Sequence, residues 1–227
     1  MVKLTFDPLM LPVDAVAGES ALAPDRMSAA WLRQRFAQQP EWHPEHMDGQ
    51  TALRMAQQPE GKPVTPASVL IPIVMHEEQP TLLFTQRAAH LTDHAGQVSF
   101  PGGRMEQSDA SPIETALREA EEEIGLARGQ VEVIGSLPEY FTGTGYRVTP
   151  VVCLVNPPIS LRADPDEVAE IFEVPLAFLM DGLNHQLRSI DLPDGYRRTF
   201  YAMPYERFFI WGATAAMLRN LFHFLRA

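Results

Sequence analysis

Ser111-Pro112-Ile113-Glu114-Thr115-Ala116-Leu117-Arg118-Glu119-Ala120-Glu121-Glu122-Glu123-Ile124-Gly125 carries the signals of both ends of a helix. Ser111 is a capping residue, and Pro112 suits the first helical position, where its missing N–H costs nothing. Glu114 stands three residues after the cap, the spacing of a capping box. Gly125 occupies the site of a C-terminal glycine cap. The segment therefore reads as a helix from about 112 to 124. Ile113, Ala116, Leu117, Ala120 and Ile124 recur at helical spacing and predict one buried stripe.

At about 100° per residue, Glu119, Glu122 and Glu123 fall within one arc on another face, and Glu121 falls elsewhere. Arg118 lies at helical neighbour spacing from Glu114 and Glu122. Glu119 and Glu123 form a like-charge i,i+4 pair, unfavourable by roughly 0.2–0.5 kcal/mol even in water. Partial burial raises that conflict, and a divalent cation that favours oxygen ligands, Mg2+ or Mn2+, relieves it. Taken alone, the glutamate run reads as a solvated acidic face. Its context points to chemistry.

Upstream of the helix, Val69-Leu70-Ile71-Pro72-Ile73-Val74-Met75 is an apolar strand whose proline predicts an edge position or a bulge. A turn at Glu77-Glu78-Gln79-Pro80 leads to a second strand, Thr81-Leu82-Leu83-Phe84-Thr85-Gln86-Arg87, and the two form a hairpin. Gly96-Gln97-Val98-Ser99-Phe100-Pro101-Gly102-Gly103 is a short strand ending in a glycine turn that lets backbone approach a site closely. After the helix, strands are expected at 131–137, 147–155, 170–174 and 197–203. A short helix is expected at 175–180 and a long one at 212–225. This alternation lacks regular βαβ spacing and predicts a mixed sheet with helices on its faces.

Residues 1–65 read as an N-terminal extension, docked or mobile and without chemistry of its own, and 66–227 as the main domain. Within the extension, Ser28-Ala29-Ala30-Trp31-Leu32-Arg33-Gln34-Arg35-Phe36 predicts one helix capped by Ser28. Pro59, Pro63 and Pro66 predict an extended connector.

The chain has 227 residues, 45% of them hydrophobic, with a formal net charge of −11. Such a charge disfavours nonspecific binding to nucleic acid or to anionic membranes. It is compatible with a small anionic substrate whose charge is neutralised locally. No stretch has the roughly 18 consecutive apolar residues of a membrane span, and a cytoplasmic location is the expectation. Cys153 is the one cysteine; in Val151-Val152-Cys153-Leu154-Val155 it reads as a small buried hydrophobe. The apolar segment 208–225 either closes the core or forms a homodimer contact, core closure being the expectation. His90 and His94 lack ligand spacing and read as structural.

Gly103, Asp109 and the run Arg118-Glu119-Ala120-Glu121-Glu122-Glu123-Ile124-Gly125-Leu126 together resemble the Nudix box. Asp109 stands where glutamate is usual, and its spacing to Arg118 is one residue longer than the general pattern. Ahead of the box, Leu83-Phe84-Thr85-Gln86-Arg87-Ala88, Gly96 and Phe100-Pro101-Gly102-Gly103 resemble the signature of the coenzyme A diphosphatase branch of that family, with Thr92 where the signature carries arginine. Gly145-Tyr146-Arg147-Val148-Thr149-Pro150-Val151-Val152 resembles the same branch. The resemblance spans about residues 67–180.

It implies a Nudix-like α/β/α sandwich around a mixed β-sheet and hydrolysis of the diphosphate bond of coenzyme A or its derivatives. The products would be 3′,5′-ADP and (acyl-)4′-phosphopantetheine. ADP-ribose or NADH is the alternative substrate, and a non-catalytic nucleotide-binding module is the alternative of another class. Glu119, Glu122 and Glu123 are the expected ligands of Mg2+ or Mn2+, one of them serving instead as base or water-orienting group. The Gly103 carbonyl is a further candidate ligand. Arg118 is expected to orient the glutamates, and Arg87 is a candidate for substrate phosphate. Glu106 and Asp109 are loop acids near the metal or simply solvated. Glu167 and Glu170 form a candidate distal acid site, with a solvated loop as the plainer reading.

Overall fold

The computed structural model describes residues 6–38, 40–45, 64–192, 195 and 197–227. In chain order the first elements are β1 (Ala15–Val16), α1 (Ala29–Gln38), β2 (Thr65–Met75), β3 (Pro80–Arg87), β4 (Val98–Ser99), β5 (Gly102–Arg104) and α2 (Pro112–Ile124). They are followed by β6 (Val131–Ser136), β7 (Tyr140–Phe141), β8 (Tyr146–Val155), β9 (Val168–Pro175) and α3 (Leu176–Leu179). The chain closes with β10 (Gln186–Asp191), β11 (Arg197–Tyr205), β12 (Phe208–Trp211) and α4 (Gly212–Arg226). The connector expected at Pro59 and Pro63 lies outside the described residues, and Pro66 belongs to β2.

The main sheet is mixed, with the order β4-β3-β2-β8-β6; β5 also pairs with β2, β7 with β8 and β9 with β3. The β2–β8 ladder is parallel and the other pairings are antiparallel. A second, antiparallel sheet has the order β1-β10-β11-β12. Alternation along the strands sorts the core into two layers. Leu70 and Val74 of β2, with Val151, Cys153 and Val155 of β8, pack beneath Ala116, Ala120 and Ile124 of α2. Ile71 and Ile73, with Val152 and Leu154, face the opposite layer of α1, α4 and the second sheet. Cover on both faces explains why these strands read as continuous apolar runs rather than alternating ones.

Pro72 does not mark an edge. It sits in the central strand, between the β5 pairing, which ends at Val69, and the β3 pairing, which begins at Ile73. The Leu70 N–H donates to the Pro101 carbonyl on that side. Pro72, two residues on, turns the same way at the seam between two partners, where a missing donor breaks no ladder bond. Four strands, β1, β7, β10 and β12, also escaped the sequence reading. β1 and β7 are two residues each, β10 contains Arg188, Ser189 and Asp191, which break any apolar pattern, and β12 was lost in the apolar segment 208–225. That helix closes the core, with Leu218, Leu221, Phe222 and Leu225 fully buried.

Residues 6–38 and 40–45 are built into this second layer. Leu22, Met27, Leu32 and Phe36 are core residues, and β1 pairs with β10. Ser28 caps α1 by accepting the Trp31 N–H at 3.3 Å. The strongest tie is polar. Arg219 of α4, only 4% exposed, binds both carboxylate oxygens of Glu19 and reaches Glu45 at 3.0 Å and the buried His185 at 3.1 Å. Tyr201 donates to the other oxygen of Glu45 at 2.7 Å. Desolvation works against the Glu45 charge, but His223, Tyr201 and Arg219 hold its pKa down at about 2.

Removing a buried guanidinium leaves its carboxylates uncompensated, which costs several kcal/mol. Because Glu19 and Glu45 keep about a third of their side-chain surface in water, Arg219→Met is expected to destabilise the fold by about 2–3 kcal/mol. Urea denaturation measures this, and a loss below about 0.5 kcal/mol would show that the cluster does not hold the N-terminal segment.

Candidate active site

α2 forms as its sequence prescribes. Ser111 accepts the Glu114 N–H at 3.2 Å, and Gly125 ends the helix in the left-handed conformation at φ 67°. Two local expectations fail. Glu114 does not complete a capping box; its carboxylate pairs with Arg128 at 2.7 Å. Ile113 is 40% exposed, because the helix leans on Ala116 and Ala120, small residues that let its second half approach the sheet.

That close approach makes the site. Glu119 and Glu123 point at β5, where Gly103 gives the Glu119 carboxylate room and Gly102 lets β5 lie close against β2. A Cβ on Gly103 would collide with the Glu119 carboxylate, and one on Gly102 would lie 2.6 Å from the Val69 Cα. The Gly102 N–H donates to Glu123 Oε2 at 3.1 Å. Gly102 and Gly103 thus form not a plain turn but the start of a strand crossing beneath two carboxylates.

The electrostatics follow from that crowding. Glu123 is 4% exposed, and burial first, then the neighbouring Glu119 and Glu167 charges, push its pKa up to about 8 against the opposing Gly102 N–H and Arg87. Desolvation also raises Glu119, partly offset by Arg118. Arg118 grips Glu119 at 3.0 Å and Glu122 at 2.9 Å through one nitrogen. Its other two nitrogens meet both oxygens of Asp109 at 3.0 Å. Asp109, 5% exposed at its side chain, also accepts from the Glu106 N–H and the Thr115 hydroxyl. These donors, Arg118 foremost, hold its carboxyl well below the usual range. Asp109 is therefore the anchor of Arg118, not a solvated loop acid.

The other residues singled out in the sequence fall at varied distances from this pair. Glu122 is 60% exposed at its side chain and turned to Arg118, and Glu121 lies outside, paired with Arg128 at 3.2 Å. Arg87, at the end of β3, is close enough to act on the Glu123 charge. Glu167 acts on both Glu119 and Glu123, and its carbonyl accepts the Ala88 N–H at 2.8 Å, tying the loops after β3 and before β9. Glu170 does not join them; it pairs with Arg207. Glu106 is an exposed loop residue. His90 and His94 are held within loops by the Asp166 carbonyl and Gln97, and Cys153 is fully buried with its thiol pushed up by desolvation.

The carbonyl of Gly103 is less available than its position suggests. Met105 N–H donates to the Pro66 carbonyl and Leu70 N–H to the Pro101 carbonyl. Residues 101, 103 and 105 thus turn their backbone groups toward β2, and Gly102 turns outward. The Gly102 carbonyl, on the side where its N–H already meets Glu123, is the better placed oxygen. Sequence reasoning also missed Thr115, a fully buried hydroxyl. A polar residue inside the apolar half of the helix was the signal for it.

Among the described residues no three acidic or imidazole side chains converge closely enough to hold an ion as they stand. The donor chemistry nevertheless fits a hard divalent cation. Desolvation raises the pKa of both Glu119 and Glu123, the Glu119 charge raises Glu123 further, Gly103 leaves the Glu119 carboxylate room, and a third carboxylate lies one helical turn from Glu119.

The Glu123 shift carries a sign. Its carboxyl binds a proton more tightly in the folded chain than at the ordinary 4.5. The associated stability is full below pH 4.5 and is lost as pH rises through about 8, at no more than about 1.4 kcal/mol per pH unit. In chelator, wild-type melting temperature is expected to fall across this window relative to Glu123→Gln. Parallel curves for the two proteins would contradict the assignment.

The NUDIX domain family model matches residues 64–190. Over 156 residues the chain is 49% identical to the Nudix hydrolase NudL of Escherichia coli (strain K12 / DH10B), covering 68% of this chain and 80% of that protein. Among solved structures, a C. elegans Ap4A hydrolase binary complex aligns with a TM-score of 0.43 at 18% identity, over 48% of this chain and 80% of that one. The NUDIX domain of Shewanella oneidensis NrtR, complexed with ADP ribose, aligns with a TM-score of 0.41 at 20% identity, over 56% and 83%. The chain belongs to the Nudix hydrolase family, enzymes that act on pyrophosphate bonds.

Proposed function

We propose that this chain hydrolyses the diphosphate bond of coenzyme A or its acyl derivatives, giving 3′,5′-ADP and (acyl-)4′-phosphopantetheine. The observation that carries the hydrolytic reading is the pairing of the half-buried Glu119 with the buried Glu123, set against Gly103 and Gly102. Support for the substrate class comes from the segment that builds this crossing. Leu83-Phe84-Thr85-Gln86-Arg87-Ala88, Gly96 and Phe100-Pro101-Gly102-Gly103 resemble the coenzyme A diphosphatase signature, and they run through β3, β4 and β5 to the two carboxylates.

Nudix hydrolases generally need divalent metal ions. Glu119, Glu122, Glu123 and the Gly102 carbonyl would hold Mg2+ or Mn2+, which when bound neutralises diphosphate charge and acidifies a water. The chain's own groups do the rest. Arg118, fixed by Asp109, sets the Glu119 and Glu122 carboxylates side by side. Arg87, on the Glu123 side, supplies positive charge for a phosphate oxygen. A water oxygen forms the new bond to phosphorus as the bond to the bridging oxygen breaks. One cluster carboxylate receives the water proton, and the bridging oxygen leaves with the other phosphate. Thr92, exposed on the loop after β3, offers no charge where the signature carries arginine, which leaves Arg87, at the end of β3, as the phosphate contact of this segment.

Incubation with coenzyme A, acetyl-CoA, ADP-ribose or NADH in Mg2+ or Mn2+, with products identified by mass, tests the substrate. Coenzyme A is expected to yield 3′,5′-ADP; its persistence beside rapid cleavage of ADP-ribose would overturn the assignment. Glu122→Gln and Glu123→Gln are each expected to fold and to lose turnover by ~100-fold or more. Near-normal turnover in both would remove the glutamates from the mechanism.

A further inference from the structure

Ser68 of β2 is buried to 1%. Its Oγ is, among the described residues, the buried side-chain polar atom left without a hydrogen-bond partner. An orphaned hydroxyl in a core is costly, and alanine would avoid that cost. The sheet shows where the hydroxyl points. Leu70 and Val74 of β2 face α2, so Ser68, at the same parity, faces α2 as well. Its cross-strand partner is Gly103, the residue whose missing Cβ is filled by the Glu119 carboxylate. Directly opposed residues place their Cβ positions about 5 Å apart on one face. On its other side Ser68 is paired with Thr149 of β8.

The layer under α2 thus changes character along its length. Its inner rows, Leu70 with Val151 and Val74 with Val155, are apolar. The row below the glutamates is Gly103, Ser68 and Thr149. The Glu119 carboxylate is meanwhile held on the far side by Arg118 at 3.0 Å.

We propose that Ser68 is a positioning residue for Glu119. When Glu119 turns from Arg118 toward a divalent cation, the Ser68 hydroxyl donates to the carboxylate oxygen that does not bind the ion, fixing the plane of the group. This role rests on the metal-dependent reading given above.

The test is Mn2+ binding by the full chain, read from the electron paramagnetic resonance signal of free Mn2+, beside the melting temperature in chelator. Ser68→Ala is expected to weaken Mn2+ affinity by about five-fold while the metal-free melting temperature stays level or rises. Ser68→Thr, which keeps the hydroxyl, is expected to restore affinity toward wild type. Unchanged Mn2+ affinity in Ser68→Ala, beside tight binding by wild type, would overturn the role of Ser68 alone. A wild type that binds no Mn2+ would overturn the metal platform and this role with it.

Discussion

Two carboxylates share a space that suits neither of them alone. Glu119 and Glu123 are brought onto the Gly102–Gly103 crossing because Ala116 and Ala120 let α2 settle closely on the sheet. Burial then raises the cost of each charge, offset in part by the Gly102 N–H at Glu123 and by Arg118 at Glu119. The rest of the site answers that constraint. Arg118 stands beside the pair, Asp109 holds Arg118, and Thr115 and the Glu106 N–H hold Asp109. A net charge of −11 makes local compensation all the more necessary for a protein whose family acts on pyrophosphate bonds.

The scaffold behind the site is built to hold that geometry. β2 is covered on both faces, paired from Thr65 to Val74 with β8, and bordered by β5 and β3 on its other side. A strand so enclosed has little freedom to shift, so the glycines opposite it stay in register with the helix. The second layer, with α4 and the residues 6–38 and 40–45 clasped to it through Arg219, closes the opposite face. The N-terminal residues thus contribute packing to the sheet that carries the site.

How much of this could be read from the sequence depended on the range of the interactions. α2 was legible because its caps, its stripe and its acidic arc lie within fifteen consecutive residues. The clustering of Glu119 and Glu123 was legible for the same reason. Their burial was not, since it depends on Gly103 arriving from another strand. Asp109 looked like a loop acid because its donors come from Glu106, Thr115 and Arg118 together. Pro72 looked like an edge marker because sequence does not reveal that β2 changes partner at that residue. The docking of residues 6–38 and 40–45 depends on Glu19 and Glu45 meeting Arg219, 200 and 174 positions away, and no local pattern announces such a pairing. β10 was hidden by Arg188, whose guanidinium is used up on the carbonyls of Pro8, Leu9 and Leu11 and on Gln186.

We propose that Glu119 and the buried Glu123 of α2 form a platform for a divalent cation. Counting protons released when the cation binds tests it most directly. Near pH 7 Glu123, with a pKa of about 8, carries a proton that a cation must displace. Calorimetric titration with Mg2+ or Mn2+ at pH 7, in buffers of different ionisation enthalpy, is expected to show release of about one proton per ion, and less than half that in Glu123→Gln. Binding without proton release, or with equal release in the variant, would contradict the account.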